Sequence, residues 1–337
     1  MNAVYLLSEI GMVSLFGICL VFAWRNRKHD NARDLSLLVS SAIFAAIFEN
    51  LNVIQVSGRG SYSYNSGFHA FVGEVPLFVV LAWSVILWTA MQIGDATRLQ
   101  WPQKIACDAL LATLLDLGFD ATAIRHGFWN WHGVAFDQAW FGVPAGNFFG
   151  WLFVSLVFSL SVRTLDWLIQ HRTIGASFRC CVQIVAVPPL GFGLYRALEN
   201  TNNALLKMGG WNPQNPQTDT LALTVFAIQF LALTLWVLWQ KRAKTEHPNA
   251  RNANSEIANA ENANAKNANI EYSIYRKSVL AFAHACRVSF HVFAVLGLLA
   301  LPFSPLLAQQ KPALLAVAGF VGVVDWFFVR RLLRRTI

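Results

Sequence analysis

The sequence predicts an all-α, polytopic helical membrane protein with about nine transmembrane helices. Three observations carry that reading. Hydrophobic residues make up 55% of the 337 positions and charged residues only 13%, about half the charged share of soluble domains. Apolar runs of about 18 residues or more recur along the chain, each long enough to cross a bilayer as a helix. Lys and Arg concentrate in alternate connections, as the positive-inside rule describes. In hydrocarbon only helices and closed barrels satisfy their backbone groups, and runs this evenly apolar lack the in–out alternation of barrel strands.

In order, the spans are 4–24, 35–55, 71–93, 104–123, 147–169, 180–199, 220–240, 279–301 and 312–330. The first has no basic leader and no small-residue cleavage site, so it reads as a retained helix rather than a signal peptide. The connections after spans 1, 3, 5 and 7, with the C-terminus, hold 19 of the 26 Lys and Arg, among them Arg25, Arg27, Lys28, Arg33, Lys241, Arg242, Arg330 and Arg335. Those after spans 2, 4, 6 and 8 hold four: Arg59, Arg125, Lys207 and Lys311. The expected topology has the N-terminus outside and the C-terminus cytoplasmic, in the cell inner (plasma) membrane. The net charge of +8 follows this topology, so no nucleic-acid partner is expected.

Residues 245–271 repeat Asn-Ala units with no apolar period. They predict a disordered cytoplasmic linker over 245–277, which divides a seven-helix domain (1–244) from a two-helix hairpin (278–337). Asp325 in that hairpin is expected to pair with an Arg. The five cysteines, Cys19, Cys107, Cys180, Cys181 and Cys286, form no CxxC. Neither a disulfide framework nor a metal site is expected, and packing is their simplest role.

Intramembrane acids are costly and therefore informative. Here they gather at one side. Span 2 ends with Glu49, Asn50 and Asn52; span 3 opens with Glu74; span 4 ends with Asp116 and Asp120; span 5 opens with Asn147 and Trp151; span 6 ends with Tyr195, Arg196, Glu199 and Asn200. The connections on that side are GRGSYSYNSGFH, which includes Tyr64, and RHGFWNWHGVAFDQAWFG, which includes Trp129 and Trp131. A shared acidic and aromatic site near the outer face is the expectation.

Plainer readings stand beside it. Asp116 and Asp120, four apart on one helix face, also fit a helix end near water. Glu49 and Glu74 also fit pairing with Arg59, Glu199 a bond to Arg196, and Asn147 an N-cap. His126 and His132 fit hydrogen bonding, and His284 and His291 packing. Trp129, Trp131, Trp140 and Trp151 also fit an interfacial belt.

Grouped carboxyls suit general acid–base chemistry, and aromatic faces stabilise a cation. No phosphate loop, haem motif, dinucleotide fingerprint or His-rich cluster is present. A cofactor-free reaction on an apolar substrate fits what remains.

The segments GEVPL around Glu74, LLDLGFDATA, GFWNW and FGVPAGNFFGW follow one another in an order that resembles the membrane carotenoid biosynthesis protein family, over about residues 40–240. The most specific part is W-x-W followed by F-G-V-P-x-x-N-F-x-G-W. Asp120-Ala121 departs from the family's usual Asp-Pro at that place.

The family includes carotenoid 1,2-hydratases, so the resemblance implies a lyase of the hydro-lyase type without a cofactor. It would add water to the terminal C=C of an acyclic carotenoid drawn from membrane lipid. In that reading Asp116, or else Glu74, donates a proton. Asp120, Glu49 or Asn147 orients water, and Trp129, Trp131, Trp151 and Tyr64 surround the substrate. The alternatives are a transporter or proton-coupled carrier, a non-catalytic carotenoid-binding protein and, among enzymes, an end-group cyclase or isomerase.

Overall fold

The computed structural model describes residues 3–27, 32–169, 176–239, 257–301 and 305–334. Among them the chain forms nine α-helices: α1 (Ala3–Asn26), α2 (Arg33–Gln55), α3 (Leu77–Ala96), α4 (Trp101–Ala123), α5 (Ala145–Ile169), α6 (Ala176–Met208), α7 (Asp219–Leu238), α8 (Ile257–Ala300) and α9 (Pro305–Arg334). Eight are long and apolar enough to cross a membrane. The ninth is α4, whose Lys104, Asp108, Asp116 and Asp120 lower its apolar character. It is nonetheless buried at almost every position from Ile105 to Ala123. α4 is flanked by α3, α5, α7, α8 and α9, so its polar groups meet protein instead of lipid. α3 is buried throughout from Phe78 to Gly94, and these two helices form the centre of the bundle.

Four short strands complete the fold. β1 (Tyr62–Tyr64) pairs antiparallel with β4 (Trp129–Trp131), with Tyr62 opposite Trp131 and Tyr64 opposite Trp129. The ribbon ties the connection after α2 to the connection after α4. β2 (Phe71–Val72) and β3 (Val75–Pro76) form a tight hairpin.

That hairpin corrects the start of span 3. The expected helix from 71 begins only at Leu77, because Gly73 turns the chain at φ +65° and Pro76 precedes the first helical turn. The expected linker is corrected in part. Residues 245–256 lie outside the described residues, but from Ile257 the chain is helical and runs without a break into span 8. Ala at 258, 260, 263, 265 and 268 supplies the helix propensity that outweighs the Asn content.

α8 and α9 pack on α3 and α4 as well as on each other. Arg287 of α8 bonds Asp325 at 2.5 and 3.1 Å and also donates to the Leu111 carbonyl of α4 at 2.7 Å. His291 Nε2 lies 3.1 Å from the same carboxylate. Asp325 thus has an Arg partner, one that ties the C-terminal pair to the central helix.

Candidate active site

The site begins with the last turns of α2. Glu49 is buried there and has no salt-bridge partner among the described residues. Its carboxylate accepts from the Tyr62 hydroxyl, from the Tyr64 hydroxyl at 2.8 Å and from Trp83 Nε1 at 2.6 Å. Side chains two apart on a strand share a face, which is why β1 aims both phenols at one carboxylate. Burial, and next the charge on Glu49, push the Tyr62 and Tyr64 phenols well above the usual tyrosine range, so both remain donors. The ribbon also sets rings together: Tyr62 lies 4.8 Å from Trp131 and Tyr64 6.1 Å from Trp129, centroid to centroid. Trp83 stacks on Trp151 of α5 at 3.9 Å and 22°.

The second half comes from α4 and α5. Asp116 and Asp120 stand one helical turn apart, and both are buried. Asn147 Nδ2 donates to Asp116 Oδ2 at 2.8 Å and to Asp120 Oδ2 at 3.3 Å, so one amide bridges the two acids. Trp131 Nε1 reaches Asp120 Oδ2 at 3.3 Å. Asp116 Oδ1 is buried with no partner among the described residues. Asn147 lies inside the first turn of α5, its own N–H bonded to the Pro144 carbonyl. Its side chain therefore serves the acids and does not cap the helix.

Between these halves lies a cavity of about 480 Å³. Glu49, Tyr64, Asp120, Trp129, Trp131, Asn147 and Trp151 line it, together with Tyr62 and Trp83. Asp116 sits behind Asn147 and is not itself a lining residue. Apolar residues such as Phe48, Val79, Phe149 and Phe153 add to the wall, as do Asn200, Asn203 and Gln214 and the ion pairs Arg196–Glu199 at 2.7 Å and Arg59–Asp219 at 2.6 Å.

Glu74 is the one expected site residue that falls elsewhere. It is exposed in the turn between β2 and β3, with its backbone N–H on Asn50 Oδ1 at 2.8 Å. The same Gly73 turn that delays α3 swings it out of the cavity. Arg59 is taken by Asp219, so it pairs with neither Glu49 nor Glu74. His132 lies between the Ser61 and Ser63 hydroxyls, 3.0 Å from each. Trp140 bonds the Leu117 carbonyl at 3.2 Å and packs on Phe148.

Two site residues escaped the sequence reading. Tyr62 was signalled only by the S-Y-S-Y alternation that marks a strand. Trp83 had no signal, because it sits within an uninterrupted apolar run. Among the described residues, no group of three or more His, Cys, Asp and Glu is placed to hold a metal ion.

The model of the carotenoid biosynthesis protein family matches residues 9–195, more than half of the chain. The chain belongs to that family. No curated protein and no solved structure matches it. A part in carotenoid biosynthesis follows, with an enzyme's role, a carotenoid-type substrate and a multi-pass membrane setting. The match begins earlier and ends earlier than the resemblance over 40–240. Glu49, the β1–β4 ribbon, the Asp116–Asp120–Asn147 cluster and Trp151 fall inside the carotenoid biosynthesis protein match, whereas Arg196, Glu199, Asp219 and helices α7 to α9 fall outside it.

Proposed function

We propose that this protein is a carotenoid hydratase that adds water to the terminal C=C of an acyclic carotenoid end group. The observation that carries the reading is the pair Asp116–Asp120, bridged by one amide and bordering an aromatic cavity with Glu49 among its walls. None of the three acids has a salt-bridge partner among the described residues.

In this mechanism the acid pair holds one proton. Asp120, the member that lines the cavity, delivers it to the terminal alkene. The π electrons form the new C–H bond, and a tertiary carbocation remains. Trp129, Trp131 and the stacked Trp83–Trp151 pair offer it ring faces. Glu49, held by hydrogen bonds from Tyr62, Tyr64 and Trp83, places a carboxyl group in the same cavity wall. Water attacks the cation, a C–O bond forms, and the excess proton returns to the acid pair. The product is a tertiary alcohol and the side chains end as they began. Water comes from the outer aqueous phase and the polyene from lipid, with the N-terminus outside and the C-terminus cytoplasmic in a cell inner membrane.

The test is expression in a host that makes acyclic carotenoids, with chromatography and mass spectrometry of the pigment. A gain of one water per reacted end group is expected. Unchanged polyene that copurifies with the protein would mark a binding protein. A ring-closed product of unchanged mass would mark a cyclase. Proton flux in liposomes without carotenoid would mark a carrier.

A further inference from the structure

The strip of α5 that faces the cavity carries two glycines one turn apart, Gly146 and Gly150. A Cβ added at either meets nothing within 4 Å. Gly11, Gly17, Gly193 and Gly319 are as open, but none of them lines the cavity, and others are held by packing. A Cβ at Gly94 would lie 2.0 Å from Asp108 Oδ1, and one at Gly191 would lie 2.9 Å from the Phe44 ring. Neither cavity glycine has positive φ, so the backbone does not demand them. Glycine is a poor helix former, yet both stand in the first turns of a long helix beside open space.

Position gives that space its meaning. Gly150 follows Asn147 by three residues, so it neighbours the bridging amide on the helix surface. It also directly precedes Trp151, the ring stacked on Trp83. Two polar atoms are buried with no partner among the described residues: Asn202 Nδ2, on a residue that lines the cavity, and, behind Asn147 and outside the lining, Asp116 Oδ1. Both residues are more than nine-tenths buried. The cavity is therefore lined as a ligand site and left unfilled where the glycines stand. Its volume of about 480 Å³ suits a ligand portion of ordinary small-molecule size, one end of an extended polyene and not its whole length.

We propose that Gly146 and Gly150 form the slot for the branched end of the polyene, and that Gly150 sets how bulky an end group can reach the acid pair. The substrate class rests on the hydratase reading; the slot itself rests on the geometry.

The test uses the full chain purified in detergent, with lycopene as probe. Binding is read by quenching of Trp fluorescence, and conversion is measured separately. Gly150→Ala adds the fewest atoms and should weaken binding and conversion least. Gly150→Val should weaken binding, and Gly150→Leu should weaken it by roughly tenfold or more, the scale of a misfit of a few methylenes. KM should rise more than kcat falls. Gly146→Leu should act in the same direction.

The thermal midpoint should stay level across the series, because the added atoms enter open space. If Gly150→Leu proves unstable, the Ala-to-Val step supplies the reading. Asp120→Asn should bind normally and fail to convert. If the unaltered protein binds lycopene but adds no water, the hydratase reading fails and the slot is judged on binding alone. Equal binding across the series, or no binding by the unaltered protein, overturns the slot.

Discussion

Two clusters of acids, one toward each end of the bundle, are held in opposite ways. At one end Arg33 bonds Asp95 and Asp166, each at 2.8 Å, while Arg163 bonds Asp95 at 2.5 Å and Asp108 at 2.6 Å. Each of these three carboxylates is held by a guanidinium, and Ser159 adds a 2.7 Å hydroxyl bond to Asp108. At the other end Glu49, Asp116 and Asp120 are held by phenols, indoles and one amide. A guanidinium fixes the charge of its partner, so the first set is suited to holding helices together. Neutral donors leave the proton free to move, so the second set is suited to chemistry. The contrast lies in the partner, since both sets include deeply buried acids.

The strongest challenge to that contrast is to delete one acid from each end. Asp120→Asn should reduce conversion by about 10²–10⁴, the usual worth of a general acid, with little change in thermal midpoint. Asp116→Asn should act in the same direction. Either variant at full activity would remove that residue from the mechanism. At the opposite end Arg163→Met should strand Asp108, while Asp95 keeps Arg33. Breaking a buried pair this way costs about 3–5 kcal/mol. The loss should appear as a lower unfolding midpoint in detergent, while the molecules that remain folded keep their activity per mole.

A finer cut falls within the site. Trp83→Phe removes one donor from Glu49 and keeps an aromatic ring. A hydrogen bond to a charged group is worth about 1.5–3 kcal/mol, so conversion should drop by roughly tenfold or somewhat more if Glu49 supports the cation. An unchanged rate would reduce Glu49 to a structural acid.

The smallest effect concerns Tyr62 and Tyr64. Their phenols are raised in the folded protein. Above about pH 10 the unfolded chain releases protons that the folded chain retains, so stability declines as pH rises past that point and is unaffected below it. The unfolding midpoint between pH 8 and 11 should show this decline, and Tyr62→Phe with Tyr64→Phe should flatten it.

Helix positions were legible because lipid enforces long apolar runs, and the alternation of Lys and Arg between connections agreed with their number. Asp116, Asp120 and Asn147 were legible for the same reason: polar groups stand out against hydrocarbon. Glu74 misled, because Phe71 and Val72 extend the apolar run of α3 while Gly73 and Pro76 redirect the backbone. Trp83 was invisible, since an indole that seeks one carboxylate looks like any core ring until the partner is placed. Gly146 and Gly150 read as part of a motif, but only open space beside them gave them a role. Pattern reveals where a side chain is out of place; it does not reveal which neighbour makes it belong.

The β1–β4 ribbon has a consequence for how the molecule is made. Its strands lie in connections separated by two whole helices, so β1 must wait on the membrane surface until α3 and α4 have both been inserted. Until then Tyr62 and Tyr64 have no opposing strand, and Asp116 and Asp120 have no α5 to supply Asn147. A nascent chain halted between α4 and α5 would thus be a competent membrane resident with an unfinished interior. The cavity can close only once α5 and α6 have followed, and all its lining residues precede α8 and α9.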